Sequence, residues 1–255
     1  MLRKRLIGSV IVRQGWAVQS FGYKRWLPLG KPECLVENLD RWGADGIVVL
    51  AIDRGDRGPD LALVERLAAL GLSTPLTYGG GLVTEKHARA AVRAGAERLV
   101  LDSVLSYIPE HIDAMASAVG VQALVASLPM LQCDNGQVHH LQHATGNASS
   151  LSKPICELIA NEKISEVLVI DAAGEGEGNG FNQDLLQVIE EQTKLPLLAF
   201  GGMSGPDQIR PLLSRPQVAG VVIGNSLNYC EHAIGQLKAA LIDQPLRPHV
   251  LPCSL

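Results

Sequence analysis

The chain has 255 residues, of which 47% are apolar and 19% are charged, and its formal net charge is −4. The apolar content suffices for the core of a folded domain, whereas the acidic balance argues against nucleic acid as a partner, because surfaces that bind it are basic. No apolar run is long enough to cross a bilayer, and we recognise no signal peptide and no cofactor motif. We therefore expect a cytoplasmic protein that needs no cofactor.

Short apolar runs alternate with helical patterns along the whole chain. We predict eight strands, at residues 6–12, 46–52, 74–79, 98–102, 122–127, 166–171, 195–200 and 219–223. Nearly continuous apolar runs are typical of parallel strands that are covered on both faces. Eight strands that alternate with helices predict one (β/α)8 TIM barrel over residues 1–255, with an open doubly wound sheet as the alternative.

One motif occurs twice, half a chain apart. Residues 75–81 read Pro-Leu-Thr-Tyr-Gly-Gly-Gly, and residues 196–202 read Pro-Leu-Leu-Ala-Phe-Gly-Gly. Each copy is followed by a helical stretch, an apolar run and a small polar pair, which is Asp102-Ser103 in the first half and Asn225-Ser226 in the second. The repeat favours the barrel over the open sheet and predicts a barrel built from two similar halves.

Each half carries a candidate phosphate site. A strand that ends in a glycine turn and opens a helix exposes backbone N–H groups, which suit a phosphate. The candidate residues are Gly80, Gly81 and Ser103 in the first half and Gly202, Asn225 and Ser226 in the second. The last two loops of a barrel commonly bind phosphate, which favours the second site. The alternative is that the glycines only permit tight turns.

Three segments depart from the strand–helix alternation. Residues 13–31 hold four aromatic residues and form either a hairpin packed over the barrel mouth or a mobile lid. Residues 133–152 contain three histidines, His139, His140 and His143, whose spacing fits no zinc signature, so we expect a polar hairpin tip and no metal. Residues 174–182 are rich in glycine and could wrap a substrate, and we expect Glu175 and Glu177 in this loop to be solvated.

Several motifs together resemble one family. They are Lys4-Arg5-Leu6-Ile7, Gly43-Ala44-Asp45, Thr77-Tyr78-Gly79-Gly80-Gly81-Leu82, Ala94-Gly95-Ala96-Glu97-Arg98, Asp102-Ser103, Gly180-Phe181-Asn182 and Ala199-Phe200-Gly201-Gly202. This set resembles the HisF cyclase subunits of imidazole glycerol phosphate synthase, within the HisA/HisF group of barrels, over nearly the whole chain. The resemblance implies a HisH-like glutaminase as partner, ammonia that enters at the bottom of the barrel, and a phosphorylated small-molecule substrate at the top.

The two aspartates that act as acid and base in that family are not matched here. The resemblance places their positions on Ile11, in the first strand, and on Leu128, after the fifth strand. Neither side chain can transfer a proton, which acid–base catalysis requires. Other polar positions of the family fall on Gln19, Ala51 and the segment Ala173-Gly174-Glu175-Gly176. We therefore expect that the ordinary cyclase reaction has been lost.

The bottom of the barrel keeps more of the family pattern. The resemblance implies a ring of four charges that gates ammonia, and Arg5, Arg98 and Glu166 match three of them, while Gly46 replaces the fourth. Glu97 matches an acidic residue that faces the glutaminase. The alternative is that these are ordinary solvated charges at strand ends.

Three aspartates follow even-numbered predicted strands and form a possible replacement acid–base set. They are Asp53, Asp102 and Asp171, and Asp102 is the strongest candidate because it replaces a family asparagine near the substrate. Carboxylates that lie close together raise each other's pKa and can supply a proton near neutral pH. The alternative is that they cap the following loops or form salt bridges with Arg54 or Arg57.

A chain that lacks the acid–base pair and keeps the ammonia gate resembles the HisF-like proteins of surface-polysaccharide clusters. Those proteins are thought to pass ammonia from a HisH-like glutaminase to an amidotransferase that makes acetamidino sugars. We expect the same function here. Two alternatives stay open, a histidine-pathway cyclase with relocated acid and base residues and a phosphate-binding scaffold subunit without chemistry.

Overall fold

The computed structural model describes residues 3–107, 110–143 and 145–248. The strands are β1 (Arg5–Arg13), β2 (Trp16–Phe21), β3 (Arg25–Gly30), β4 (Ile47–Ala51), β5 (Leu76–Gly79), β6 (Arg98–Leu101), β7 (Leu124–Gln132), β8 (Val138–Gln142), β9 (Asn147–Ser149), β10 (Glu166–Asp171), β11 (Leu197–Phe200) and β12 (Val218–Ile223). The helices are α1 (Pro32–Arg41), α2 (Leu61–Ala68), α3 (Glu85–Arg93), α4 (Ser103–Tyr107), α5 (His111–Val119), α6 (Lys153–Ala160), α7 (Asp184–Glu190), α8 (Pro206–Ser214) and α9 (Ala233–Ala240).

Eight of the strands close into a parallel barrel. Their order is β1-β4-β5-β6-β7-β10-β11-β12, and β12 pairs with β1 to complete the ring. A closed ring excludes the open doubly wound sheet and confirms the prediction of a (β/α)8 barrel. None of the helices in the described ranges is both long enough and apolar enough to span a membrane.

Two hairpins extend the barrel wall at its mouth, which is the end where the strands finish. The first hairpin, β2–β3, pairs antiparallel with the last residues of β1, Ile11 to Arg13. The second hairpin, β8–β9, pairs in the same way with the last residues of β7, Met130 to Gln132. Residues 13–31 therefore form a hairpin, as one of the two sequence-based alternatives proposed.

The barrel interior is filled by apolar side chains that alternate along each strand with residues facing the helices. Ile11 belongs to the inner group, so its predicted place inside the mouth is correct. Leu128 packs in the outer layer, between strands and helices, so its prediction as a mouth residue is wrong. Its neighbour Pro129 pairs with the inward-facing Ile170 and takes the interior position at this strand end. Proline carries no ionisable group, and the conclusion that an acid is missing there stands.

The two halves repeat in backbone conformation. Gly80 and Gly81 have φ values of 129° and 67°, and Gly201 and Gly202 have values of 114° and 74°. A Cβ atom on any of these four would overlap a backbone carbonyl oxygen, so glycine is required at each. By backbone conformation, Gly80 therefore corresponds to Gly201. The equal spacings of Gly80–Ser103 and Gly202–Asn225 would instead pair Gly80 with Gly202, one residue later. A bulge explains the difference, because Leu197 pairs with Val218 and Leu198 with Gly220, which leaves Ala219 as an extra residue in β12.

A buried ion pair ties the last helix to the base of the barrel. Lys238 Nζ in α9 lies 2.6 Å from Asp45 Oδ1, and the two side chains are only 5% and 6% exposed. The other oxygen of Asp45 accepts a hydrogen bond from the backbone N–H of Leu6 at 2.8 Å. Removal of one partner would leave the other charge buried and unpaired, which is costly.

We expect Lys238→Met to lower the free energy of unfolding by about 3 kcal/mol, because the Asp45 carboxylate would remain buried without its cation. Urea denaturation measures the loss. Lys163→Met is the matched control, because Lys163 pairs with Asp113 at 2.8 Å on the surface, where the two side chains are 47% and 66% exposed. That variant should lose less than about 0.5 kcal/mol, and equal losses in the two variants would contradict the prediction.

Candidate functional site

Two cavities open at the barrel mouth, one in each half. The first cavity has a volume of about 300 Å³, and Gly80, Gly81 and Ser103 line it together with Asp102. The second cavity, of about 290 Å³, is lined by Gly202, Asn225 and Ser226. The fold thus brings the members of each candidate phosphate site together, around separate cavities.

Backbone N–H groups are free in both cavities. Within the described ranges, the N–H groups of Gly81 and Ser103 in the first cavity, and of Gly202 and Ser226 in the second, donate to no other group of the chain. Such groups can donate to the oxygens of an anion. Asn225 has a different role, because its side-chain amide bonds the backbone of Ser20, donating to the carbonyl at 2.7 Å and accepting from the N–H at 3.3 Å.

Asp102 is the one predicted catalytic aspartate that lines a mouth cavity. Its Oδ2 accepts a hydrogen bond from Ser127 Oγ at 3.1 Å. Burial raises the pKa of the Asp102 carboxyl to about 6, although the Ser127 hydrogen bond and the charge of His140 both favour the ionised form. A carboxyl group with such a pKa can exchange a proton near neutral pH.

Asp53 and Asp171 do not join Asp102. Asp53 Oδ2 accepts from the backbone N–H of Gln14 at 3.1 Å and pairs with Arg57 at 3.0 Å. Asp171 accepts from the N–H groups of Gly174 and Asn182, at 2.8 and 2.9 Å, and so fixes the two ends of the glycine-rich loop. The loop-capping alternative describes both residues, and they do not form the predicted three-carboxylate set.

Glu175 has a role that the sequence did not reveal. It is only 3% exposed, which contradicts its prediction as a solvated residue, whereas Glu177 is exposed as expected. Its Oε2 accepts from Ser20 Oγ at 3.1 Å and from the Tyr23 N–H at 3.2 Å, and its carbonyl accepts from the Gly22 N–H at 2.8 Å. Glu175 therefore fastens the first hairpin to the glycine-rich loop.

The second hairpin brings histidines to the mouth rather than to a polar tip. His140 is only 4% exposed, and burial lowers its pKa. His143 lines the first cavity, and its ring centroid lies 4.4 Å from that of Tyr23. His139 stays apart from both, with its Nδ1 3.5 Å from Cys133 Sγ. The expectation of a merely polar tip is therefore wrong for His140 and His143, because the hairpin folds back onto the barrel.

The base of the barrel holds the predicted charge cluster. Glu166 lies between two arginines, with its oxygens 2.5 Å from Arg5 Nη2 and 2.5 Å from Arg98 Nη1. These charges are not ordinary solvated ends, because all three side chains are largely buried and joined to one another. Gly46 lines the same cavity, of about 230 Å³, and Glu97 lies exposed at its edge.

A single side chain borders both ends of the barrel. Val100 lines the base cavity and also the first cavity at the mouth. The inner wall of the base cavity is lined by apolar residues, among them Ile7, Val48 and Leu168. Apolar side chains therefore separate the base cavity from the first cavity at the mouth, and Val100 contacts both cavities.

We expect Asp102→Asn to raise the free energy of unfolding at pH 7.5 by up to about 3 kcal/mol. The pKa of Asp102 rises on folding from 3.8 to about 6, so its stabilising contribution is complete below pH 3.8 and is lost as the pH rises through 6. The amide avoids that loss and can still accept from Ser127. Urea denaturation from pH 4 to 8 measures the gain, which should shrink below pH 6, and a gain independent of pH would refute this account. Asp113→Asn, at an exposed carboxylate, is the control.

We expect Glu175→Ala to loosen the first hairpin, because it removes the acceptor for Ser20 and Tyr23. Amide hydrogen exchange within residues 16–30 should become about tenfold faster, which corresponds to the loss of about 1.4 kcal/mol from local hydrogen bonds. Mass spectrometry of peptides measures the rates. Glu177→Ala, two residues along the same loop and exposed, should leave them unchanged.

Comparison with known proteins places the chain in a family. A family model described as Histidine biosynthesis protein matches residues 5–233. The imidazole glycerol phosphate synthase subunit HisF of Symbiobacterium thermophilum is 28% identical over 94% of this chain and 96% of that protein. Subunits of the same name from Natranaerobius thermophilus and Exiguobacterium sibiricum are 26% and 30% identical, over 96% and 80% of this chain and 98% and 82% of those proteins. The chain is therefore a divergent, HisF-like member of the histidine biosynthesis family of barrels.

Proposed function

We propose that this chain is the barrel subunit of a glutamine-dependent amidotransferase. It receives ammonia from a HisH-like glutaminase at the base and passes it through the barrel to a phosphorylated sugar-type substrate, or to a partner amidotransferase, in the modification of surface-polysaccharide sugars. The relatives named above support a subunit of this kind, because each is named as a subunit of imidazole glycerol phosphate synthase.

The observation that carries the proposal is a charged base that only the apolar interior of the barrel separates from the mouth among the described residues. The cluster of Arg5, Glu166 and Arg98 lies at the start of the strands, and Val100 lines both the base cavity and the first cavity. Neutral ammonia can cross an apolar passage, whereas an ammonium ion would lose its hydration there at high cost. Such an arrangement suits transfer of ammonia from one end of the barrel to the other.

The chemistry at the mouth differs from that of an ordinary cyclase. Ile11 and Pro129 occupy interior positions at the ends of β1 and β7, where neither can carry a proton. The glycine turns and free N–H groups of both cavities remain available to a phosphorylated ligand. Delivery of ammonia to a different acceptor is consistent with a mouth that keeps its binding groups and lacks the acid–base pair.

Asp102 favours one alternative. A carboxyl group beside the first cavity, with a pKa of about 6 and a hydrogen bond from Ser127, could replace a lost acid or base in a cyclase reaction. It would act alone, since Asp53 and Asp171 are committed to loops. A scaffold without chemistry would instead bind phosphate at the mouth and conduct no ammonia.

We expect this chain to bind a HisH-type glutaminase from the same organism and to raise its rate of glutamine hydrolysis. Glu97→Lys reverses an exposed charge beside the base cavity and should weaken the complex about tenfold, by electrostatic repulsion. Isothermal titration measures the affinity, and ammonia release measures the activity. Glu85→Lys is the matched control, because Glu85 lies on the outer helix α3 in a surface pair with Arg89. A glutaminase that neither binds nor responds would refute the proposed partner.

We expect the chain to fail to support growth of a bacterial strain that lacks its HisF cyclase, because no acid or base stands at the Ile11 and Pro129 positions. Growth without histidine measures the outcome, with a HisF from one of the relatives as the positive control. Growth that depends on Asp102, and is abolished by Asp102→Asn, would instead establish the cyclase alternative.

A further inference from the structure

The charge cluster at the base spans only part of the barrel ring. Arg5 lies at the start of β1, Arg98 at the start of β6 and Glu166 at the start of β10. In the order of the ring, the Arg5–Glu166 salt bridge runs past β11 and β12, and the Arg98–Glu166 salt bridge runs past β7. The remaining arc, formed by β4 and β5, is crossed by neither salt bridge.

Small residues occupy this arc. Gly46 directly precedes β4, and Thr77 of β5 pairs with Arg98 of β6. A Cβ atom on Gly46 would have Ile7 as its nearest described neighbour, at 3.6 Å, which is ordinary contact. The φ angle of Gly46 lies outside the left-handed region, so the backbone would accept another residue there. The missing side chain of Gly46 therefore leaves space in the ring and serves no turn.

The base cavity lies in this opening and reaches the barrel interior. Gly46 and Thr77 line it, and Glu97 and Arg247 at its outer edge are exposed to solvent. Residues from seven of the eight barrel strands contribute to its lining, which places the cavity on the barrel axis. Its inner wall includes Val48, an interior side chain that keeps 3% of its surface exposed. Solvent outside the base and the apolar interior thus meet in one cavity.

The charge cluster itself is poorly suited to opening and closing. Both oxygens of Glu166 are bonded to arginines, and Arg98 also donates to Ser165 Oγ at 2.6 Å and to the Gln122 carbonyl at 3.3 Å. Separation of the partners would leave a largely buried carboxylate without its cations, which is costly. We therefore interpret the cluster as a fixed brace of the base.

We propose that small uncharged molecules enter the barrel beside this cluster, through an opening at Gly46 that persists while Arg5, Glu166 and Arg98 remain paired. An ion would lose its hydration against the apolar inner wall, whereas an uncharged molecule loses little there. This inference rests on the proposed function in taking ammonia as the molecule that uses the opening. It adds that entry requires no movement of the charge cluster and that Gly46 is the residue that keeps the entrance open.

The reaction of a cysteine inside the cavity with methyl methanethiosulfonate, a small uncharged thiol reagent, tests the inference in the full chain. We expect the thiol of Val48→Cys to react at least about tenfold faster than that of Val49→Cys, because Val49 packs against the helices and lines no part of the cavity. In the double variant with Gly46→Leu and Val48→Cys, the leucine should fill the opening and slow the reaction at least about tenfold. Mass spectrometry of peptides measures each thiol separately from the native cysteines.

Glu166→Gln tests whether the cluster limits entry, because it keeps the size of the side chain and removes its charge. We expect the reaction of Val48→Cys to change less than about twofold in this background, since the opening does not depend on separating the salt bridges. A reaction that becomes about tenfold faster would show that the paired cluster is the barrier, and would overturn the inference.

Cys34 is exposed and serves as the reference for the reagent, so its rate should be the same in all variants. Circular dichroism of each variant verifies that the fold is kept. Equal rates in Val48→Cys and Val49→Cys would overturn the inference, and so would a Gly46→Leu variant that reacts as fast as its parent. Either result would leave the proposed function to be decided by the titration with a glutaminase, which does not depend on the entrance.

Discussion

The alternation of side chains along closed parallel strands decides which residues of this protein can act on a ligand. Successive residues face the barrel interior and the surrounding helices in turn, and closure of the ring leaves no freedom to shift one strand against its neighbours. One residue of difference therefore separates Ser127, which reaches Asp102, from Leu128, which packs against helices. The same alternation assigns Ile11 and Pro129 to the interior and removes ionisable groups from those positions.

The acidic residues at the mouth serve two purposes. The carboxylate oxygens of Glu175 and Asp171 accept hydrogen bonds from backbone N–H groups and from Ser20. These bonds hold the glycine-rich loop and the first hairpin in one arrangement. Asp102 accepts only from Ser127 among the described residues and borders a cavity. Burial without full pairing makes it the carboxyl group most able to respond to a ligand or to pH.

The sequence predicted the barrel because each strand is an apolar run and the glycine motif recurs. Both features can be seen in the order of residues without knowledge of the fold. It also predicted Arg5, Arg98 and Glu166 as a group, through a family resemblance. It failed at Leu128, because an apolar run does not reveal which of two neighbouring residues faces inward. It failed at Glu175, His140 and His143, because loops with polar residues read as solvated until the fold brings another loop against them.

The extra residue at Ala219 has a consequence for the history of the two halves. It lengthens the second half by one position before its polar pair, and the amide of Asn225 then meets the backbone of Ser20 in the first hairpin. The first half has Ser103 at this place, and its side chain is too short to make the same two hydrogen bonds with a neighbouring chain segment. The halves are thus no longer interchangeable, and a barrel assembled from two copies of the first would lack the hydrogen bonds by which Asn225 holds the first hairpin.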